Sequence, residues 1–200
     1  MAELSTTSGV PVATIKYYLR EKLLAAGASE AVNQARYSSG HLDRLRLIRA
    51  LIDVGGLSLA SARSVLEAID SDASLPETFE VAQHSVSVAI APSDLDPADL
   101  ARIDELLAGW HVSPNNPGRL ASARVLSAFR AVGQTDDRGW FARYAEAALL
   151  IAAADLDEVE ARADRAAKAE TVVVGTVLGD SLISGLRRAA QEHITSERYS

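Results

Sequence analysis

The chain has 200 residues, 48% apolar and 24% charged, a globular balance long enough for one large domain or two small ones. Cysteine is absent, which excludes disulfides and thiolate-based metal or redox sensing. The formal net charge of −7 is unevenly placed: residues 13–49 hold seven Lys/Arg against three Asp/Glu, and residues 71–200 hold twelve against twenty.

In chain order, residues 9–24 read as a tight turn feeding a short polar helix. Gly9 can supply a positive φ, and Pro11 fixes φ near the helical value in a first turn. A helix opened this sharply after another short one has the outline of a helix-turn-helix. Lys16, Arg20 and Lys22 suit phosphate or base contacts, while Tyr17 and Tyr18 combine packing with a hydroxyl donor. Residues 25–33 are small and polar, a loop or two-stranded wing ending at Arg36 and Tyr37. A helix from Ser39 follows, with Leu42, Leu45, Ile48, Leu51 and Ile52 on one face and Arg44, Arg46 and Arg49 on the others. Val54, Gly55 and Gly56 stop it, and Ser58 caps the next, whose buried stripe is Leu59, Ala62, Val65, Leu66 and Ile69. The basic excess of this region gives the molecule a positive head on an acidic body, the polarity that orients a protein on a polyanion.

The order and spacing of these pieces resemble the MerR family of transcriptional regulators. The residues that carry the resemblance are Glu3-Leu4-Ser5, Ser8-Gly9-Val10, Thr14-Ile15-Lys16-Tyr17-Tyr18 and Lys22-Leu23-Leu24. Arg36-Tyr37, Leu42-Asp43-Arg44-Leu45 and Gly55-Gly56-Leu57-Ser58-Leu59 continue it, so about the first 70 residues are covered. The chain departs from the family at Leu19, where a glutamate is usual, and at the wing, where Arg36 directly precedes Tyr37. The resemblance implies a winged helix-turn-helix that binds promoter DNA as a homodimer on an inverted repeat and acts on RNA polymerase by distorting the duplex. It assigns Lys16 to a base or a phosphate and Tyr18 to a phosphate, while Thr14, in the same early turns, can reach base edges or phosphate, and Arg20, Arg36 and Tyr37 suit the DNA backbone in the next groove. Tyr17 is counted with these DNA-binding residues, although one tyrosine of the pair is expected to pack internally and Tyr17 is the candidate for it.

Beyond the reader, residues 70–76 look like a linker. Leu75, Phe79, Ala82, Val86 and Ala89 then repeat at coiled-coil spacing. They are either a dimer seam, which the resemblance implies at this point in the chain, or an ordinary packed helix. Asp96 and Pro97 open a helix with Leu100, Ile103, Leu107 and Trp110 on one face. Another, over 119–132, should bury Leu120, Ala123, Leu126 or Val125, Phe129 and Val132, with Gly133 ending it. A helix over 139–154 begins at Trp140 and Phe141 and becomes apolar on every side across 147–154, the mark of the middle of a bundle. A charged helix should open at Asp155. Residues 171–194 keep helical spacing despite Val172, Val173 and Val174, and Gly175 and Gly179 would admit another helix closely.

The fold class read from these signals is all-α with a small β wing. A DNA-binding domain spans 1–70, a linker or dimerisation helix 71–95, and a helical effector-binding or dimerisation domain 96–200. Trp110, Phe129, Trp140, Phe141 and Tyr144 gather most of the aromatics outside the reader, and such a body suits an apolar or cationic organic effector. His41, His84, His111 and His193 have no ligand spacing, and the acids near 94–104 lack a calcium loop's glycine and closing glutamate, so no metal is expected. No nucleophile elbow, catalytic set or phosphate loop appears, so neither enzyme activity nor a cofactor is expected. The longest uninterrupted apolar run, 147–154, is short for a membrane helix, and the first residues show no secretory signal, so the expected compartment is the cytoplasm. Two other readings stand beside this one: an effector-independent architectural DNA binder, and an enzyme or binding protein with a targeting helix-turn-helix.

Overall fold

The computed structural model describes residues 1–31 and 34–199. The N-terminal unit is built from α1 (Ala2–Ser8), α2 (Val12–Arg20), an antiparallel pair β1 (Ala28–Ala31) and β2 (Gln34–Arg36), α3 (Ser39–Arg49) and α4 (Leu59–Asp70). The strands pair Ala28 with Arg36 and Ser29 with Ala35. Val32 and Asn33, within the segment expected as loop or wing, lie outside the described residues. The turn between α1 and α2 is fixed by Gly9 at φ 68°, by Ser5 Oγ donating to the Val10 carbonyl at 2.6 Å, and by Val10 N donating to Ser8 Oγ at 3.2 Å. Below α3 the chain widens into one π-helical turn, Ala50–Val54, before Gly55 and Gly56 end it. Ser58 then caps α4 by accepting from Ser61 N, as its position after the glycines requires.

The remaining elements are α5 (Leu75–Val86), α6 (Pro97–Leu106), α7 (Pro117–Ala131), α8 (Trp140–Glu160) and α9 (Arg165–Tyr199). Caps set their starts. Ser74 and Glu77 form a capping box on α5, Asp96 accepts from Ala98 N on α6, and Asn116 accepts from Arg119 N on α7. The heptad-like stripe of α5 packs within this chain: Thr78 and Ala82 are fully buried, and Leu75, Phe79 and Val86, partly buried, lie against the main core beside α4 and α9.

That main core is continuous from the reader into the C-terminal hairpin. Ile15, Leu23, Leu45, Ile48, Leu51, Val65 and Leu66 pack in one cluster with Val159 of α8 and Val172, Val173 and Val177 of α9. The valine run is helical, as its spacing predicts. Val177 sits over Gly55, where an added Cβ would overlap Val177 Cγ1 and lie 2.7 Å from the Leu51 carbonyl oxygen. A second, smaller core, Leu95, Ile103, Leu120, Ala123 and Leu126, holds α6 and α7 together.

Several expectations are corrected. The helix that begins at Trp140 does not stop at 154; it runs to Glu160, and the charged segment at Asp155 is its continuation. Nor is its apolar stretch buried. All of 147–154 is exposed except half-buried Ile151, because α8 packs on neighbours along only one side. Val132 and Val125 of the α7 stripe are exposed too, since only Leu120, Ala123 and Leu126 face the small core. Gly175 and Gly179 have nothing within 4 Å of an added Cβ, so their Cβ sides face open space and not a closely packed helix of this chain. Finally, α9 contains an 18-residue window of mean hydropathy 1.3, long and apolar enough to cross a membrane by length and composition. An uninterrupted-run count misses it because small polar residues break the run. The first half of the helix seats Ala169, Val172, Val173 and Val177 inside the protein and leaves its other flank open.

Candidate nucleic-acid interface and apolar cleft

On α2 the buried positions are Ile15 and Tyr18, which turn Ala13, Lys16 and Arg20 outward at i, i+3 and i+7. Thr14 is half-exposed beside them. The helix is anchored at its end by a left-handed residue, Lys22 at φ 59°, so that Leu23 N and Leu24 N both donate to the Tyr18 carbonyl. Leu23 and Leu24 drop into the core, and Lys22 stays in solvent.

The tyrosine pair is reversed from expectation. Tyr18 is the member that packs, at 7% exposure, whereas Tyr17 is half-exposed with the Arg20 guanidinium 5.1 Å from its ring centroid. Burial pushes the Tyr18 phenol up from its usual range, helped by the charge of Asp53 and opposed by Arg49, so it is a neutral hydroxyl at physiological pH. Neighbouring positions on a helix are 100° apart, and packing into the main core decides which of them faces inward.

The cations of the reader divide into two groups. Arg44 donates through Nε to the Leu23 carbonyl at 3.2 Å and through Nη1 to Asp70 at 3.1 Å, tying α3 to both α4 and the turn after α2. Arg63 of α4 reaches Glu21 at 2.9 Å, closing the same corner. Arg46 and Arg49 pair with Asp43 and Asp53 within their own helix. Among the described residues, Lys16 and Lys22 make no ion pair, which leaves two ammonium groups of this surface available to phosphate. Arg36 is exposed at the end of β2. Tyr37 after it is half-buried, edge-on to the His41 ring at 5.2 Å between centroids. Gly27 permits this approach, for a Cβ there would stand 2.5 Å from the Arg36 carbonyl oxygen.

The body holds a cleft of 520 Å³ between α6, α7 and α8, lined by Leu107, Trp110, Leu126, Phe129, Phe141 and Tyr144 among others. Four of the five aromatics picked out by sequence are therefore brought together in it. Trp140 is not in the lining; it packs behind, with its ring centroid 5.2 Å from that of Phe129 and 5.5 Å from that of Phe141. Sequence reading missed Leu106, Val112 and Ala148, since nothing in helical spacing distinguishes a cleft wall from a core. The lining's only charge is Arg119, held by Asp104 through Nε at 2.6 Å and Nη2 at 2.7 Å. No group of three or more His, Cys, Asp or Glu that could hold a metal occurs among the described residues.

Residues 1–69 match the model of the MerR HTH family regulatory proteins. A crystal structure of a protein described as a transcriptional regulator, from Streptomyces coelicolor A3(2), is 35% identical to this chain. It aligns over 99% of this chain and 96% of its own with a TM-score of 0.73. The chain belongs to the MerR family. Among curated proteins none matches it. As a MerR-family protein it is a helix-turn-helix, DNA-binding regulator of transcription, and the similarity to the Streptomyces protein extends over the helical body as well as the reader.

Proposed function

We propose that this MerR-family chain is a one-component sensor. Residues 1–70 read an inverted repeat as part of a homodimer, 71–95 connect, and 96–200 bind a small organic effector that switches the regulator. The DNA contacts assigned to it are Lys16, Tyr17, Arg20, Arg36 and Tyr37, with Thr14 beside the base edges and Tyr18 holding α2 in place from within. Family membership supports control by distortion of promoter DNA, with RNA polymerase as the further partner. Bending a site costs several kcal/mol, so a ligand of modest differential affinity can shift the outcome.

The observation that carries the sensor reading is the aromatic cleft. Its volume lies within the range of small-molecule sites, and its wall is apolar with no carboxylate. A neutral, flat, apolar ligand fits this chemistry better than a cation, because ring faces are present without a counter-charge. Coupling to the reader is short. Phe141, Tyr144, Ala145 and Ala148 form one wall of the cleft, and the same helix delivers Val159 to the reader's core. Tyr144 also accepts from Arg187 Nη2 at 2.9 Å, tying the cleft wall to α9.

The test is fluorescence anisotropy with duplex from immediately upstream of the protein's own gene, a scrambled duplex and a salt series, with and without candidate ligands. Trp110 lines the cleft and Trp140 packs behind it against Phe129 and Phe141, so intrinsic fluorescence reports occupancy in the same samples. Preferential binding to the native duplex, changed by a ligand that alters tryptophan emission, is expected. Equal, weak, steeply salt-dependent binding to both duplexes, unaffected by any ligand, would refute the sensor in favour of an architectural DNA binder.

A further inference from the structure

The hairpin of α8 and α9 leaves one long side uncovered. Tyr144 and Arg187 mark the line where the two helices meet, and Phe141, Ala145 and Ala148 face the cleft. At 100° per residue, the opposite flank of α8 is Ala147, Leu150 and Ala154, and that of α9 is Leu182, Leu186 and Ala190. Leu150 is 75% exposed, Leu182 63% and Leu186 56%, values that a monomer keeps for isolated surface residues and not for a row. No charged side chain occurs in 147–154 or in 181–186. Gly175, Gly179 and Gly185 leave open space along the same helix.

We propose that this outer face is where a second copy of the chain docks, the two hairpins closing into a four-helix bundle. The proposal rests on the homodimer reading above and names its interface. Two observations favour a second copy as the occupant. The heptad-like seam of α5, the other candidate, is already filled by α9 of the same chain. The face is free of charge, so it has nothing to offer nucleic acid and is self-complementary under a two-fold axis. Because α9 seats Val177 in the reader's core, a bundle built on this hairpin fixes the spacing of two readers.

Sedimentation velocity of the full chain tests the proposal. The wild type should run at twice its 21.2 kDa mass. Leu150→Glu with Leu186→Glu should run as a folded monomer by circular dichroism, and Val88→Glu with Val132→Glu, on exposed apolar residues elsewhere, should remain dimeric. A dimer that survives the hairpin pair overturns the assigned face while leaving the dimer reading intact. A wild type that is monomeric at tens of micromolar overturns both, and one that instead floats with anionic vesicles makes the face a lipid surface. Should the glutamate pair not fold, the absence of native cysteine gives a second measurement. A spin label on Ala154→Cys should show an intermolecular distance below about 30 Å, the span of a bundle of helices roughly 10 Å apart. No such distance would overturn the proposal.

Discussion

Replacing Gly55 by alanine tests whether α9 is seated on the DNA reader. Gly55 has φ −75°, a conformation open to any residue, so its backbone does not require glycine. On the unfolded side the added methyl should therefore stabilise, by about 0.4–1 kcal/mol. In the folded chain the methyl overlaps Val177 Cγ1, 1% exposed and unable to retreat, and lies 2.7 Å from the Leu51 carbonyl. Overpacking of this kind costs about 1–3 kcal/mol, so the net loss should be about 1–2 kcal/mol. For a chain of this length that is a fall in Tm of roughly 2–8 °C, read by far-ultraviolet circular dichroism. Val177→Ala alone should also destabilise, by roughly 1.5–3 kcal/mol from lost burial and the hole it leaves. Combined, the two changes should cost less than their sum by more than about 0.5 kcal/mol, because each relieves the other. The rescue is partial, since the Leu51 carbonyl stays where it is. An unchanged or raised Tm for Gly55→Ala, with strict additivity in the double variant, would refute the packing of α9 on the reader.

Lys16→Ala, at an exposed position, should leave the melt unchanged and weaken native and scrambled duplexes alike, lowering the slope of log K against log salt by about 0.9 in an anisotropy series. Phe129→Ala removes the ring that meets both Trp140 and Phe141, and should abolish any ligand-induced change in tryptophan emission while DNA affinity without ligand stays within about twofold, since no residue of the reader lines the cleft. Desolvation, then the charge of Asp155 across the hairpin, raises the Asp180 carboxyl above its usual 3.8. The folded chain then holds this proton more tightly than the unfolded one, so stability falls as pH rises through the folded value. Asp180→Asn should therefore melt higher than wild type at pH 7, and melts at pH values below the ordinary carboxylate range should show the difference gone.

Local punctuation made the reader legible. Gly9, the paired glycines at 55 and 56, and the caps Ser58 and Asp96 each act on the few residues beside them, and each does what its position implies. Stripes were less informative because a period specifies a face and not its neighbour. The α5 repeat is real, but the helix that fills it, α9, begins some 80 residues later in the chain. The apolar girdle of α8 reads as deep burial, yet alanine makes a helix apolar without giving it much to bury. The aromatics of the cleft were legible as a group, since few other aromatic residues exist in the body. Trp140 was placed wrongly with them because a ring behind a wall has the same spacing as a ring in it.

The continuity of the main core bears on how such a chain can be recombined. Winged readers look like interchangeable heads, yet this one lacks a closed underside: Val159, Val172, Val173 and Val177 are its floor. A chimera that grafts residues 1–70 onto a foreign sensing body would carry an open apolar seat at Gly55 and have to find a new helix to fill it. Exchange of parts in this lineage should therefore occur between α5 and α8, where α6 and α7 hold a small core of their own, with the head and the last helix inherited together.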